Sequence, residues 1–383
     1  MASPRSWDIF CRVIDNFGDI GFGWRLARQL ASGQHAAVRL WIDDLASLNA
    51  LCPRIDAANA CQRVENVEVR RWEAVFPAVT PAEVVVEAFG CGLPETYIAA
   101  MVERNPRTLW ITLEYLSAEP WVRQYHALPS PHPRWPLARY FFFPGFVAGT
   151  GGVLREPDLL ARRDAFGNAG RERFWASVGF QPPVPGATVV SLFAYDHAPV
   201  ADLLQAWERQ EEPTVVAVPE GRVAAMVRGH LGQVSADGRS FRRGSLEARI
   251  VPFVAQPRYD ELLWACDCNF VRGEDSFVRA QWAARPMVWQ LYPQQERAHW
   301  PKLEAFLDLY CEGLPGAAAA AMQGMWRAWN LAGGPPSGAG GAWQVFRAQW
   351  AALGTRASVW AQRLAEVGEL SEKLAQFCQG KLK

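Results

Sequence analysis

Short apolar runs alternate with stretches of helical spacing along most of the chain. In the first half the runs WDIFCRVI, AVRLWI, VEVRRW, EVVVEAF and TLWITLEYL are interleaved with the helical patterns WRLARQLA and PETYIAAMVER. Unbroken β-branched runs belong to strands buried on both faces, the mark of a parallel sheet covered by helices. From Pro129 to Gly152 proline and glycine become dense, and the pattern predicts irregular chain. After QPPVPG, which ends at Gly186, a second and more regular series begins. Strands are expected at ATVVSLFAY, PTVVAV, ARIVPFV, CNFV and PMVWQLY, with helices at PVADLLQAWER, VAAMVRGHL, RYDELLWA and SFVRAQWAA. The remainder reads as helical apart from a Gly/Ser hinge near Gly333 to Gly341.

The expected fold class is therefore α/β, with two Rossmann-like, doubly wound domains whose strand-end loops face a cleft, and a helical C-terminal tail. The expected boundaries are a first domain over 1–150, a linker over 151–185, a second domain over 186–330, and a tail over 331–383 that could pack back on the first domain. This architecture suits GT-B glycosyltransferases, nucleotide-sugar epimerases and several binding proteins, so function must be read from the loops.

Composition narrows the classes. Lys+Arg and Asp+Glu balance at 39 each, which argues against a general nucleic-acid binder. No apolar run approaches the ~20 residues of a membrane span and the N-terminus lacks a signal peptide, so the expected location is the cytoplasm. The cysteines form no CxxC pair, and the histidines form no HExxH motif. Cys266 and Cys268 read as core thiols, and Trp7, Trp24, Trp41, Trp110 and Trp207 sit in apolar patterns as core residues. Asp267, in DCN, leads into a buried strand and offers no DxD metal site.

Two loops carry chemistry. The stretch VIDNFGDIGFGWRLARQL reads as a strand end, a glycine-bearing turn and an amphipathic helix, a layout that usually binds phosphate. Here it carries Asp15 and Asp19, which would repel a phosphate, and its glycines are spaced GxxGxG rather than GxGxxG. The loop, with Asn16, Phe17, Gly18 and Gly21, suits a cation or the removal of a proton from one; each carboxylate could equally be a turn or cap residue. The second loop is NFVRGEDSFVRAQWAARPMVWQLYPQ. A strand stops at Gly273, and Glu274, Asp275 and Ser276 open a helix. A diphosphate could sit on the N–H groups of Asp275, Ser276 and Phe277 with Arg272 nearby; alternatively Asp275 or Ser276 is a plain N-cap. Glu274 is expected on sugar hydroxyls or on the loop backbone. In IVPFVAQPRYDELL, Phe253 could stack on a base while Gln256 reads its edge, or Phe253 could be a core residue. Phe193 and Tyr195, in SLFAYDHAP, add aromatic side chains at a strand end.

These two motifs together, with PGF, SLFAY and VPFVAQ, resemble the EarP family of protein-arginine rhamnosyltransferases that modify bacterial elongation factor P. The resemblance implies a GT-B fold, dTDP-β-L-rhamnose as donor, an arginine-bearing loop of elongation factor P as acceptor, and inversion to α-rhamnosyl arginine. It places the family's aspartate pair on Asp15 and Asp19 and its donor-site acid on Glu274. Its nucleotide contacts fall on Tyr195, Phe253, Gln256, Arg272, Gly273, Asp275, Ser276 and Tyr292. Neither metal nor cofactor is called for, and neither a membrane nor a nucleic acid is an expected partner. A nucleotide-sugar epimerase and a non-catalytic nucleotide-binding module are the alternatives.

Overall fold

The computed structural model describes residues 4–13, 17–34, 36–232, 238–293, 299–331 and 338–382. They form two units, Met1–Glu156 with Leu364–Lys383, and Pro157–Arg363.

The first unit contains β1 (Ser6–Cys11), α1 (Gly18–Gly33), β2 (Ala37–Ile42), α2 (Leu45–Leu51), β3 (Cys61–Val64), β4 (Val67–Arg71), β5 (Val84–Ala88), α3 (Glu95–Glu103), β6 (Leu109–Leu113), α4 (Val122–Tyr125), β7 (Pro129–Pro131) and β8 (Ala138–Phe142). Its sheet runs β3-β4-β2-β1-β5-β6-β8-β7. The six strands from β4 to β8 in that row are parallel, while β3 and β7 pair antiparallel at the two edges. Strand order therefore reverses between β1 and β5, the switch point at which doubly wound sheets bind ligands. Phe10, Trp41, Trp72, Tyr97 and Trp110 fill one face of this sheet.

In the second unit come α5 (Leu159–Ser177), β9 (Thr188–Leu192), α6 (Val200–Arg209), β10 (Thr214–Pro219), α7 (Arg222–Leu231), β11 (Ser240–Arg243), β12 (Leu246–Val251), α8 (Gln256–Ala265), β13 (Cys268–Arg272), α9 (Asp275–Trp282) and β14 (Met287–Gln290). They are followed by α10 (Trp300–Cys311), α11 (Gly316–Trp329), α12 (Gly338–Ala348), α13 (Trp350–Val367) and α14 (Leu370–Lys381). The sheet order is β11-β12-β10-β9-β13-β14, parallel except for β11, with its switch point between β9 and β13.

Three expectations need correction. Pro129 to Gly152 is not wholly irregular, because Ala138–Phe142 extends the parallel row beside β6 and Pro129–Pro131 closes its edge. Proline is tolerated there because an outermost strand needs few N–H donors. The stretch 151–185 is more than a connection: it contains α5, kinked at Gly167, whose Phe174 and Trp175 pack with Leu262 and Ala265 of α8 in the second core. Of the hinge near Gly333 to Gly341, 332–337 lie outside the described residues, whereas Gly338 opens α12. The chain's last helix, α14, packs on α1 in the first unit, where Phe377 meets Tyr140 and Phe142, and Lys373 Nζ donates to the Thr150 carbonyl at 3.0 Å. The five tryptophans read as core are all buried, as are Cys266 and Cys268, whose thiols burial pushes far above their ordinary value.

Candidate functional site

In the first unit the carboxyl ends of β1, β5 and β6 meet around Asp19. The glycine-bearing turn expected there is already helix: α1 begins at Gly18, so Gly18 and Gly21 lie within its first turns and Phe17 at the N-cap, without a side-chain cap. Gly23, further along the helix, faces β1, where a Cβ would stand in ordinary contact with Cβ of Cys11 at 3.5 Å. Asp19 is 1 % exposed in that first turn. A carboxylate there is favoured by the helix dipole, by about 0.3–1 kcal/mol, and holds the place that a phosphate would need. The Tyr115 hydroxyl, two residues beyond β6, donates to Asp19 Oδ1 at 3.1 Å. The Tyr115 ring lies parallel to Phe89, just past β5, at 4.3 Å, and Phe22 of α1 meets the same Phe89 edge-on. Burial first, and then the Asp19 charge, hold the Cys11 thiol well above its ordinary value, so Cys11 is inert packing. Asp15 and Asn16 lie outside the described residues.

The second unit builds a contrasting group at the ends of β9, β13 and β14. The Arg272 guanidinium carbon sits 4.6 Å from the Phe193 ring and 4.5 Å from the Tyr195 ring. A cation between aromatic rings keeps its charge while losing conformational freedom. Gly273 then turns the chain at φ +62°, the left-handed region that favours glycine. Its N–H donates to the Gln290 carbonyl at 3.2 Å, and its own carbonyl accepts Trp289 Nε1–H at 2.8 Å. Helix α9 follows with Glu274 at its N-cap, where the Glu274 side chain makes no capping bond. The plain N-cap reading of Asp275 or Ser276 is thereby corrected. Ser276 Oγ instead accepts the Arg272 N–H at 3.1 Å and donates to the Arg272 carbonyl, and Asp275 Oδ2 accepts from Gln256 Nε2 at 3.3 Å. Glu274 is buried, with Lys302 Nζ 3.9 Å from its Oε2.

Gln256, 2 % exposed, is the first residue of α8. Phe253, three residues before it, is 38 % exposed, more than a core role would leave. Tyr292, 45 % exposed, stands edge-on to Tyr195 at 5.7 Å. The structure thus brings together Phe193, Tyr195, Arg272 and Tyr292, and separately Gln256 with Asp275. Asp267 leads into β13, where its carboxylate accepts the Val189 N–H and pairs with Arg171.

Several participants went unread in the sequence. Tyr115 and Phe89 follow strands that looked like plain core. Gln290 ends β14 with its Oε1 accepting the Tyr195 N–H at 2.7 Å. Arg279 and Asp260 form a bidentate pair, 2.7 Å at both contacts, that is buried and ties α9 to α8. The available signal was a charge on the apolar stripe of each helix, which is rarely left there unpaired.

Comparison with known proteins bears on this geometry. The model of a family described as elongation-factor P (EF-P) rhamnosyltransferase EarP matches residues 7–379. The chain belongs to this family. It is 48 % identical over 380 residues to a protein-arginine rhamnosyltransferase of Pseudomonas putida, covering 98 % of this chain and 99 % of that protein. A protein of the same description from Pseudomonas aeruginosa is 46 % identical, with 97 % and 98 % covered. A solved structure described as the structural basis for EarP-mediated arginine glycosylation of translation elongation factor EF-P is 36 % identical, with a TM-score of 0.69, covering 98 % of this chain and 99 % of that one. A Rickettsia africae glycosyltransferase, 8 % identical with a TM-score of 0.54, covers 99 % of this chain and 98 % of its own and shares the fold alone. The fold is of the GT-B class, with two Rossmann-like units and C-terminal helices. Among the described residues no helix is long and apolar enough to cross a membrane.

Proposed function

We propose that this chain transfers L-rhamnose from dTDP-β-L-rhamnose to an arginine of elongation factor P, in one inverting displacement that leaves an α-rhamnosyl arginine. Membership of the family supports the coarser statement, that the chain is an enzyme and a protein-arginine rhamnosyltransferase. The observation that carries the finer reading is the opposite charge of the two strand-end groups: a buried carboxylate, Asp19, in the first unit, and a ring-flanked cation, Arg272, beside a helix N-terminus in the second.

An arginine guanidinium keeps its proton at any physiological pH and its delocalised nitrogens are poor nucleophiles. Asp19, with Asp15, pairs with the guanidinium, turns one nitrogen toward the anomeric carbon, and Asp19 accepts the proton as the C–N bond forms. The leaving dTDP is stabilised by Arg272 and the first-turn N–H groups of α9, with Tyr195, Phe253, Gln256, Gly273, Asp275, Ser276 and Tyr292 holding the nucleotide and Glu274 the sugar. No step calls on a metal or a cofactor. Incubating the protein with elongation factor P and either dTDP-β-L-rhamnose or a UDP-sugar, followed by peptide mass spectrometry, tests this. A deoxyhexose on one arginine with the dTDP donor alone is expected. Modification of another residue type, or equal use of the UDP-sugar, would overturn it.

A further inference from the structure

Gln290 is fully buried at the end of β14, and its amide orientation is set by an unambiguous donor, the backbone N–H of Tyr195 2.7 Å from Oε1. Its Nε2 therefore faces His197, whose Nε2 lies 3.1 Å away. An amide nitrogen offers only hydrogens, so the ring nitrogen must accept. That excludes the imidazolium and the tautomer protonated at Nε2, and leaves the neutral Nδ1–H form. The same imidazole lies parallel to the Tyr195 ring, 5.6 Å between centroids with an 11° interplanar angle. Tyr195 in turn flanks Arg272.

We propose that His197 is a positioning residue of the donor site: its neutral imidazole, accepting from Gln290 and stacked on Tyr195, holds the ring that presents Arg272 to a nucleoside diphosphate. The inference rests on the donor-site reading given above. The charged groups acting on His197 are Asp196 beside it, itself paired with Arg222 of α7 at 2.9 Å, and Arg272 at the end of β13. Partial desolvation of the ring, most of all, holds the imidazole below its ordinary value; Asp196 opposes this and Arg272 adds to it. Because the neutral form is the one bound and its value is lowered, the arrangement is fully present above the ordinary histidine range and is lost only as pH falls below that range, through the lowered value. An imidazolium would point a hydrogen at the hydrogens of Gln290.

The test is calorimetric titration of dTDP into the full chain as wild type, His197→Ala, His197→Gln and Arg272→Ala, at about pH 7.5 and then stepwise down to about pH 4.5, about two units below the ordinary histidine value. His197 is exposed, so these changes leave the core intact. His197→Ala is expected to weaken dTDP about fivefold near pH 7.5, the worth of one hydrogen bond. His197→Gln carries an amide oxygen at the distance of Nε2 and does not titrate, so its affinity is expected to match wild type near pH 7.5. Protonation of dTDP itself acts equally on both proteins, so their affinity ratio isolates His197. The ratio is expected to move severalfold against wild type at the lower pH. Unchanged dTDP binding by His197→Ala, or an affinity ratio that does not move with pH, would overturn the inference while leaving the donor site standing. Wild-type binding by Arg272→Ala would overturn the donor-site reading, and this inference with it.

Discussion

The two units use one strand order and place their chemistry at the same point of it, yet the charges there are opposite. Beside the switch point of the first sheet, the helix following β1 carries Asp19 in its opening turn, engaged by Tyr115. Beside the switch point of the second, β13 ends in Arg272 between two rings, Gly273 frees the backbone, and α9 opens without a side-chain cap from Glu274. A helix N-terminus attracts anions by its geometry alone. Both first turns carry a carboxylate, and what differs is the company: Asp19 of α1 accepts from Tyr115, whereas Asp275 of α9 accepts from Gln256 and has the ring-flanked Arg272 three residues before it. The shared architecture therefore supplies two anion-favouring positions, and in the function proposed above the first, filled by Asp19, receives the acceptor's cation instead.

Breaking the first group should have the largest effect. Asp19→Asn keeps the shape and removes the base, so turnover is expected to fall about 10² to 10⁴-fold in a rhamnosylation assay. A variant turning over normally would take Asp19 out of the chemistry. Next in size is Arg279→Ala, which removes the bidentate cation from the buried Asp260 carboxylate and is expected to lower stability by about 3–5 kcal/mol, read as the urea midpoint at constant m. The loss should extend to dTDP affinity, since α8 carries Gln256 and α9 carries Asp275. Stability within about 0.5 kcal/mol of wild type would show that the pair is not the tie between these helices.

The two regions also differ in how much of them could be read in the chain. The parallel strands other than β8 were legible because burial on two faces favours apolar runs, as in VVVEA of β5 and TVVAVP of β10, whereas β8, ARYFF, lies in proline-rich surroundings that hid it. The edge strands β3, β7 and β11 were not, because a strand paired on one side tolerates proline and charge: PSP and SFRR have no apolar period. In the second unit Arg272, Gly273 and Ser276 are neighbours in sequence, so a local motif carries the turn. Around Asp19 the partners Phe89 and Tyr115 come from separate strands, and only the sheet order brings them together. The start of α1 at Gly18 was hidden too, because glycine spacing alone does not separate a turn from the first turns of a helix.

Smaller effects sharpen the contrast. Phe253→Ala should weaken dTDP by about 1–3 kcal/mol, the worth of one base–aromatic stack, with little change in melting temperature. A large fall in melting temperature with unchanged dTDP affinity would make Phe253 a packing residue. Tyr115→Phe keeps the stack on Phe89 and deletes the hydroxyl that donates to Asp19, so turnover is expected to fall about two- to tenfold with donor affinity unchanged. An effect on dTDP binding instead would tie Tyr115 to the nucleotide and erase the distinction between the two groups.

The division of labour itself is tested most directly by titrating dTDP into the folded Asp19→Asn and Arg272→Ala proteins. The account predicts wild-type affinity for Asp19→Asn and a loss of about tenfold or more for Arg272→Ala, as for a charged contact to phosphate. Lost dTDP binding in Asp19→Asn, with wild-type binding in Arg272→Ala, would contradict it.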